Sequence, residues 1–311
     1  MKSAGLSANQ LGFAHYLADQ WGNQEQPVAL EGCVPESGRG GMLHCYRITR
    51  SRYWKPWRAR VASPVQHWWC RSLDEAAHHY SWPDNLPPNS FSCIAGRLRQ
   101  ALSASDEGAA RQACLDIFTW GGVAQKPTDK SRVWLEFQYG QSTLCQSIKQ
   151  GVHLLQPGSA LSLTAFDGKG LLMNAAMTKV YAAADPDSII IYDGRVGAAL
   201  GLLVRYWLEM IGIAGVPSDL AFRWGVGRSG VKRDPSCKGY QFSSLYLPST
   251  RTAHQDEVWA TLVRKTGEIL KQMRALRGDI ASIGDVEKAL FMIGFNIECD
   301  APPSPIPAVV G

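Results

Sequence analysis

Several absences narrow what this sequence can be. None of its eight cysteines, at positions 33, 45, 70, 93, 114, 145, 237 and 299, forms the C-x-x-C pair of a zinc or iron–sulfur site, so reduced and mostly buried thiols are expected. Nowhere do about 18 uncharged apolar residues run together, and the opening "MKSAGLSANQLGFAHYLADQW" lacks the apolar core of a secretory signal. The expectation is a cytoplasmic protein with no membrane partner. Neither H-E-x-x-H nor G-x-S-x-G occurs, which sets aside zincins and α/β-hydrolases. No glycine spacing matches a Rossmann or P-loop nucleotide site, and no RRM, KH or double-stranded-RNA-binding pattern is present. Charged residues reach only 19% of the 311, below the roughly one quarter usual in soluble domains. No strand alternation is sustained beyond a few residues, so the class expected is mainly α.

What is present supports a large core. Hydrophobic residues make up 45% of the chain, with eleven Trp and ten Tyr. A net charge of +5 and a pI near 8.7 permit a polyanionic partner without requiring one. Two stretches concentrate the positive charge. In "CYRITRSRYWKPWRARV", residues 45–61, Arg47, Arg50, Arg52, Lys55, Arg58 and Arg60 alternate with Tyr46, Tyr53, Trp54 and Trp57, and no acid intervenes. In "RWGVGRSGVKRDPSCKGY", Arg223, Arg228, Lys232, Arg233 and Lys238 surround four glycines and one acid, a composition that lets backbone N–H groups approach phosphates closely.

Residues 1 to about 40 read as a helix and a connection ending in "PESGRGG". The three prolines of "SWPDNLPPNS" place a boundary near 90, dividing a basic, aromatic-rich region (1–90) from a helical domain (91–311). Helices are expected at 91–103, at 107–119 closing on "FTWGGV", near 131–150, near 158–165, and in a stretch ending at Asp185. Val196, Leu200, Leu203, Val204, Trp207, Leu208 and Ile211 recur at helical spacing after Asp193. Two further helices span "EVWATLVRKTGEILKQMRALRGD" and "SIGDVEKALFMIGFN". In "DEAAHHYSW", Asp74/His78 and Glu75/His79 stand at i, i+4; without a third ligand cluster these read as helix ion pairs and not as a metal site.

The most informative stretch is "MTKVYAAADPDSIIIYDGRV", residues 177–196. Ile189, Ile190, Ile191 and Tyr192 read as buried, and Asp193 follows them at the start of the next helix. An acid at a helix N-terminus accepts backbone N–H bonds and stays ionised near neutral pH. On position alone it is a cap.

The segment resembles the helix-hairpin-helix DNA glycosylase superfamily, in particular its 8-oxoguanine DNA glycosylase-like branch. Thr178, Lys179 and Val180 fall on that family's "T-K-V", Asp185 and Pro186 on its turn, and Asp193 on its catalytic acid. "LLMNAA" (171–176) stands where the family carries its hairpin glycines, and the interval from lysine to acid is shorter. The resemblance implies a helical DNA glycosylase that flips a modified base out of double-stranded DNA and hydrolyses its N-glycosidic bond. Asp193 would be the catalytic carboxylate and Lys179 its helper.

DNA would be gripped by Arg47, Arg50, Arg52, Lys55, Arg58, Arg223, Arg228, Lys232 and Arg233, and the base pocket walled by Trp120 and Tyr192. No metal, organic cofactor or obligate protein partner is implied. The branch includes bacterial defence enzymes that remove glucosylated cytosines from phage DNA. An oxidised-purine repair glycosylase or lyase, and a non-catalytic DNA-binding protein on the same scaffold, are the alternatives.

Overall fold

Helix dominates the architecture. The computed structural model describes residues 5–22, 43–49, 65–80, 82, 86–227, 231–248 and 254–298. In chain order these form α1 (Ala8–Gly22), β1 (His44–Thr49), β2 (Val65–Cys70), α2 (Leu73–His78), α3 (Phe91–Ala104), α4 (Glu107–Gly121), α5 (Lys130–Gly140), α6 (Leu144–Leu155), α7 (Met177–Ala184), α8 (Gly194–Met210), β3 (Arg223–Trp224), β4 (Ser243–Ser244), α9 (Gln255–Leu276) and α10 (Ile283–Ile293). The mainly α class holds. No helix among the described residues is long and apolar enough to cross a membrane.

The chain folds as two compact units, each assembled from three separate stretches. One holds the described residues of Met1–Ala8, Asp84–Asp193 and Leu245–Gly284; the other those of Asn9–Pro83, Gly194–Ser244 and Asp285–Gly311.

In the first unit, α3 packs on α4 and α7. Its core face follows the 3–4 spacing of Ile94, Leu98, Ala101 and Leu102, all buried, the pattern that makes a helix amphipathic. Ser90 caps it by accepting the Cys93 N–H at 3.4 Å. Asp106 caps α4 through the Ala109 N–H at 2.9 Å, and Gly122, at φ +60°, ends it in the left-handed conformation, where glycine pays no Cβ penalty.

Two sequence expectations fail here for local reasons. The single helix near 131–150 is α5 and α6, separated where Ser142 takes φ +55° and the Thr143 hydroxyl donates to Gln138 Oε1 at 2.7 Å. The helix near 158–165 does not form. Ser159 and Ser162 hydroxyls accept the N–H groups of Leu161 and Thr164, both at 3.3 Å, the side-chain competition that makes such residues poor helix formers.

In the second unit, β1 and β2 form an antiparallel pair in the register Tyr46↔Trp68, a hairpin that the weak alternation of "HCYRIT" did not announce. Tyr46 is fully buried, its ring 4.9 Å from Trp68 and 5.7 Å from Phe295, and its hydroxyl donates to Met292 O at 3.0 Å. It therefore belongs to the core and not to a basic, aromatic surface. On α2, His78 Nδ1 lies 3.2 Å from Asp74, the helix pair that the i, i+4 spacing suggested. Gly12 of α1 sits against the Trp207 indole of α8, and the Phe13 ring packs 6.0 Å from it.

Candidate functional site

The first unit positions Lys179 and Asp193 from a shared scaffold. Met177 through Ala183 of α7 are all buried. The helix starts because Asn174 Oδ1 accepts the N–H groups of Ala176 (2.9 Å) and Met177 (3.1 Å), leaving fewer of its first amides unsatisfied. It stops at Asp185, whose carboxylate takes Gln156 Nε2 at 2.8 Å and whose carbonyl accepts Ile189 N at 3.0 Å. The Asp-Pro turn is thus built as the sequence suggested.

Lys179 is 7% exposed. Its ammonium donates to Ala175 O at 2.8 Å, and its stem fills the space above Gly121: a Cβ at 121 would lie 2.7 Å from Lys179 Cδ. A glycine at the end of α4 is what lets this lysine lie down. Burial of an ammonium in this manner is costly without such partners.

Ile189, Ile190, Ile191 and Tyr192 are buried, as expected. Three bonds hold the end of this strand-like segment. Thr178 Oγ1, itself fully buried, donates to Ile190 O at 3.3 Å and accepts Tyr192 N–H at 2.9 Å. From α9, the Trp259 indole N–H donates to Tyr192 O at 2.9 Å. Both backbone polar groups of Tyr192 are therefore fixed by side chains of two different helices. Asp193, half-buried, is the next residue, and α8 begins immediately after it. Lys179 and Asp193 each stand one residue from the Thr178–Tyr192 bond. Tyr192 serves this geometry through its backbone, with its ring in the core.

Beside this scaffold the surface of the first unit has an open hollow of about 200 Å³. Asp129, Lys130 and Ser131 at the start of α5 line it, with Val123, Ala124, Asn174, Ala175 and Ala176, and with Tyr246 and Trp259. Its wall touches both residues singled out in the sequence at one remove. Ala175 carries the Lys179 ammonium, and Trp259 carries the carbonyl that precedes Asp193. Ala124 adopts φ +48°, a conformation that costs a residue with a side chain about 1 kcal/mol or more. Asp256, 4% exposed, ties the hollow together. It accepts Met173 N at 2.8 Å and Lys130 Nζ at 3.2 Å.

Trp120 is half-buried at the end of α4, its ring 4.6 Å from Phe91. It does not line the hollow. In the second unit, Arg223 donates to Ser244 O at 2.9 Å and Arg233 to Phe295 O at 3.2 Å. Lys232 is exposed and 3.4 Å from Glu298. Gly225 N donates to Gly194 O at 3.1 Å, and a Cβ at 194 would lie 2.5 Å from Gly225 Cα, so the first residue of α8 must be glycine for the basic loop to pass. Arg50, Arg52, Lys55, Arg58 and Arg228, and the side chain of Arg47, lie outside the described residues.

Trp259, Ser131, Asn174, Lys130 and Asp256 escaped sequence reasoning. Each reads as an ordinary helix or loop residue, and no local motif links positions 131, 174 and 256. No protein-family model matches this chain, and no curated protein or solved structure does either.

Proposed function

We propose that this protein is a DNA glycosylase in which Asp193 is the catalytic carboxylate. The observation that carries the reading is the double anchoring of Tyr192 by Thr178 and Trp259, because a charge-stabilising group works best when it is held on a rigid element before substrate arrives. The resemblance of residues 177–196 to the helix-hairpin-helix glycosylases supplies the reaction.

In that reaction a modified base leaves the DNA stack. The C1′–N bond then breaks as the Asp193 carboxylate stabilises the positive charge growing on the sugar. Water attacks C1′ and gives its proton to Asp193, and that proton is returned through solvent to the departing base, which regenerates the carboxylate and leaves an abasic site. Lys179 acts as a helper. Its amine is held on Ala175 O and stands closer in sequence to the acid than in the resembled family, so hydrolysis is proposed over the lyase route. Lys232, Arg223, Arg233 and the basic stretch around residues 47–58 supply phosphate contacts. In keeping with the bacterial defence members of the resembled branch, the substrate class proposed is hypermodified, glucosylated cytosine in phage DNA.

Purified protein incubated with normal, oxidised and glucosylated DNA tests this reading. Mass spectrometry for free base, and alkali for abasic sites, should find release from one modified substrate that disappears in Asp193→Asn. Binding to all three without released base would sink the catalytic reading and leave a helical DNA-binding protein whose acid is a cap.

A further inference from the structure

Asp193 is the last residue of its stretch of the first unit, and Gly194 opens the next stretch of the second. Two planar peptide units flank the Asp193 Cα. One contains the Tyr192 carbonyl, which the Trp259 indole holds. The other ends at the Gly194 Cα, about 3.8 Å away, and that atom is fixed by a backbone contact within the second unit. Gly225 N donates to Gly194 O at 3.1 Å. A Cβ on Gly194 would lie 2.5 Å from Gly225 Cα, and a Cβ on Gly225 would lie 2.7 Å from Gly194 Cα. Each glycine leaves the room that the other's main chain fills, an approach closed to any residue with a side chain.

This contact has no soft side. Where Gly121 meets Lys179 a flexible stem can yield, but at 194 and 225 main chain meets main chain. The next residue of α8 is held as well. A Cβ on Gly294, which follows α10, would overlap Arg195 O, and the Arg195 guanidinium lies 4.3 Å from the Phe291 ring centroid and 5.3 Å from that of Phe295. A push on Gly194 therefore passes toward Asp193 and not into α8. Gly225 follows β3, which is fixed by its pairing with β4, by Arg223 Nη1 donating to Ser244 O at 2.9 Å and by the Trp224 indole donating to Phe242 O at 3.4 Å. Val226, the next residue, is 68% exposed, so the contact lies just beneath the surface of the basic loop.

We infer that Gly225 is a positioning residue for Asp193: it seats the head of α8 against the basic loop, so that the carboxylate is placed by the segment that holds DNA. The inference rests on Asp193 being the catalytic carboxylate. Because a misplacement of about 1 Å can cost about 10²-fold in rate, a methyl group at this contact acts on the reaction far more than on binding, which draws on charges spread over the surface.

Single-turnover base release from duplexes carrying glucosylated cytosine or oxidised guanine, set beside affinity for an unmodified duplex by fluorescence anisotropy, tests it on the full chain. Gly225→Ala and Gly194→Ala should each lower the release rate about 10-fold to 100-fold while changing the dissociation constant by less than about threefold. Val226→Ala, at the exposed neighbour, should stay within about twofold of wild type in both. Should neither glycine variant fold, Trp224→Phe, which removes the indole bond to Phe242 O and adds no atom to the contact, should lower the rate about threefold at unchanged affinity. Release at the wild-type rate in the folded variants, or a loss of affinity that matches the loss of rate, overturns the inference. So does equal slowing in Val226→Ala. A wild-type protein that releases no base from either duplex overturns the reading beneath it and this inference with it, and the two failures are distinct because the first appears only in the variants.

Discussion

Two stretches stand out in the sequence for their chemistry, residues 177–193 and residues 223–240, and the structure treats them differently. The first is wired from the inside. Thr178 and Trp259 hold Tyr192 at both backbone groups, and Lys179 lies buried across Gly121. In the second, Arg223 and Arg233 donate to backbone carbonyls, so much of its positive charge also serves to hold the loop, while Lys232 stays exposed. A charged residue's pattern in the sequence says little about its role until the groups that fix it are known.

The largest expected effect separates chemistry from capping. Asp193→Asn should lower base release by about 10²-fold or more while changing unfolding free energy by no more than about 1 kcal/mol, the worth of a cap. Paired single-turnover assays and denaturant melts read both numbers, and equal wild-type turnover would remove Asp193 from the site.

Next comes the anchor. Thr178→Val keeps the shape but strands the Tyr192 N–H and Ile190 C=O in the core, which should cost about 1–3 kcal/mol. Thr178→Ser should recover most of the loss. A valine variant that melts like wild type would show that the hydroxyl holds nothing.

The packing of Lys179 on Gly121 predicts a coupled pair. Gly121→Ala should destabilise by about 1–3 kcal/mol through overpacking, whereas the same change made in a Lys179→Ala background should cost clearly less, giving a non-additive double-mutant cycle. Strict additivity would break the proposed contact.

The smallest effects concern the basic loop. Arg233→Ala should cost about 1 kcal/mol of stability by removing its bond to Phe295 O. Lys232→Ala should leave stability within about 0.5 kcal/mol and lower the salt slope of DNA binding by about one. Identical stability of the two variants would erase the contrast between a cation that also holds the loop and one that only faces solvent.

Much of the helical order was legible in the sequence because apolar spacing and caps are local. Ser90, Asp106 and Gly122 sit where the chain announced helix ends, and α8 follows Asp193 as the repeat of Val196, Leu200 and Val204 requires. The two misplaced helices failed for local reasons as well, and the cause was hydroxyls. Ser159, Ser162 and Thr143 captured backbone groups that an apolar count assigns to helices. The β1–β2 hairpin went unseen because its aromatic residues are fixed by partners nearly 250 positions away, such as Met292.

By itself, then, the sequence determined the helical class, the burial of Ile189 through Tyr192, and an acid at the head of α8, all consequences of composition and short-range periodicity. Only the tertiary structure decided what holds that acid and what lies beside it. The Thr178–Tyr192–Trp259 bonds and the hollow formed by Ser131, Asn174 and Tyr246 join residues 14 to about 130 positions apart, and hydrogen bonds between buried side chains and distant backbone leave no periodic trace in the order of amino acids.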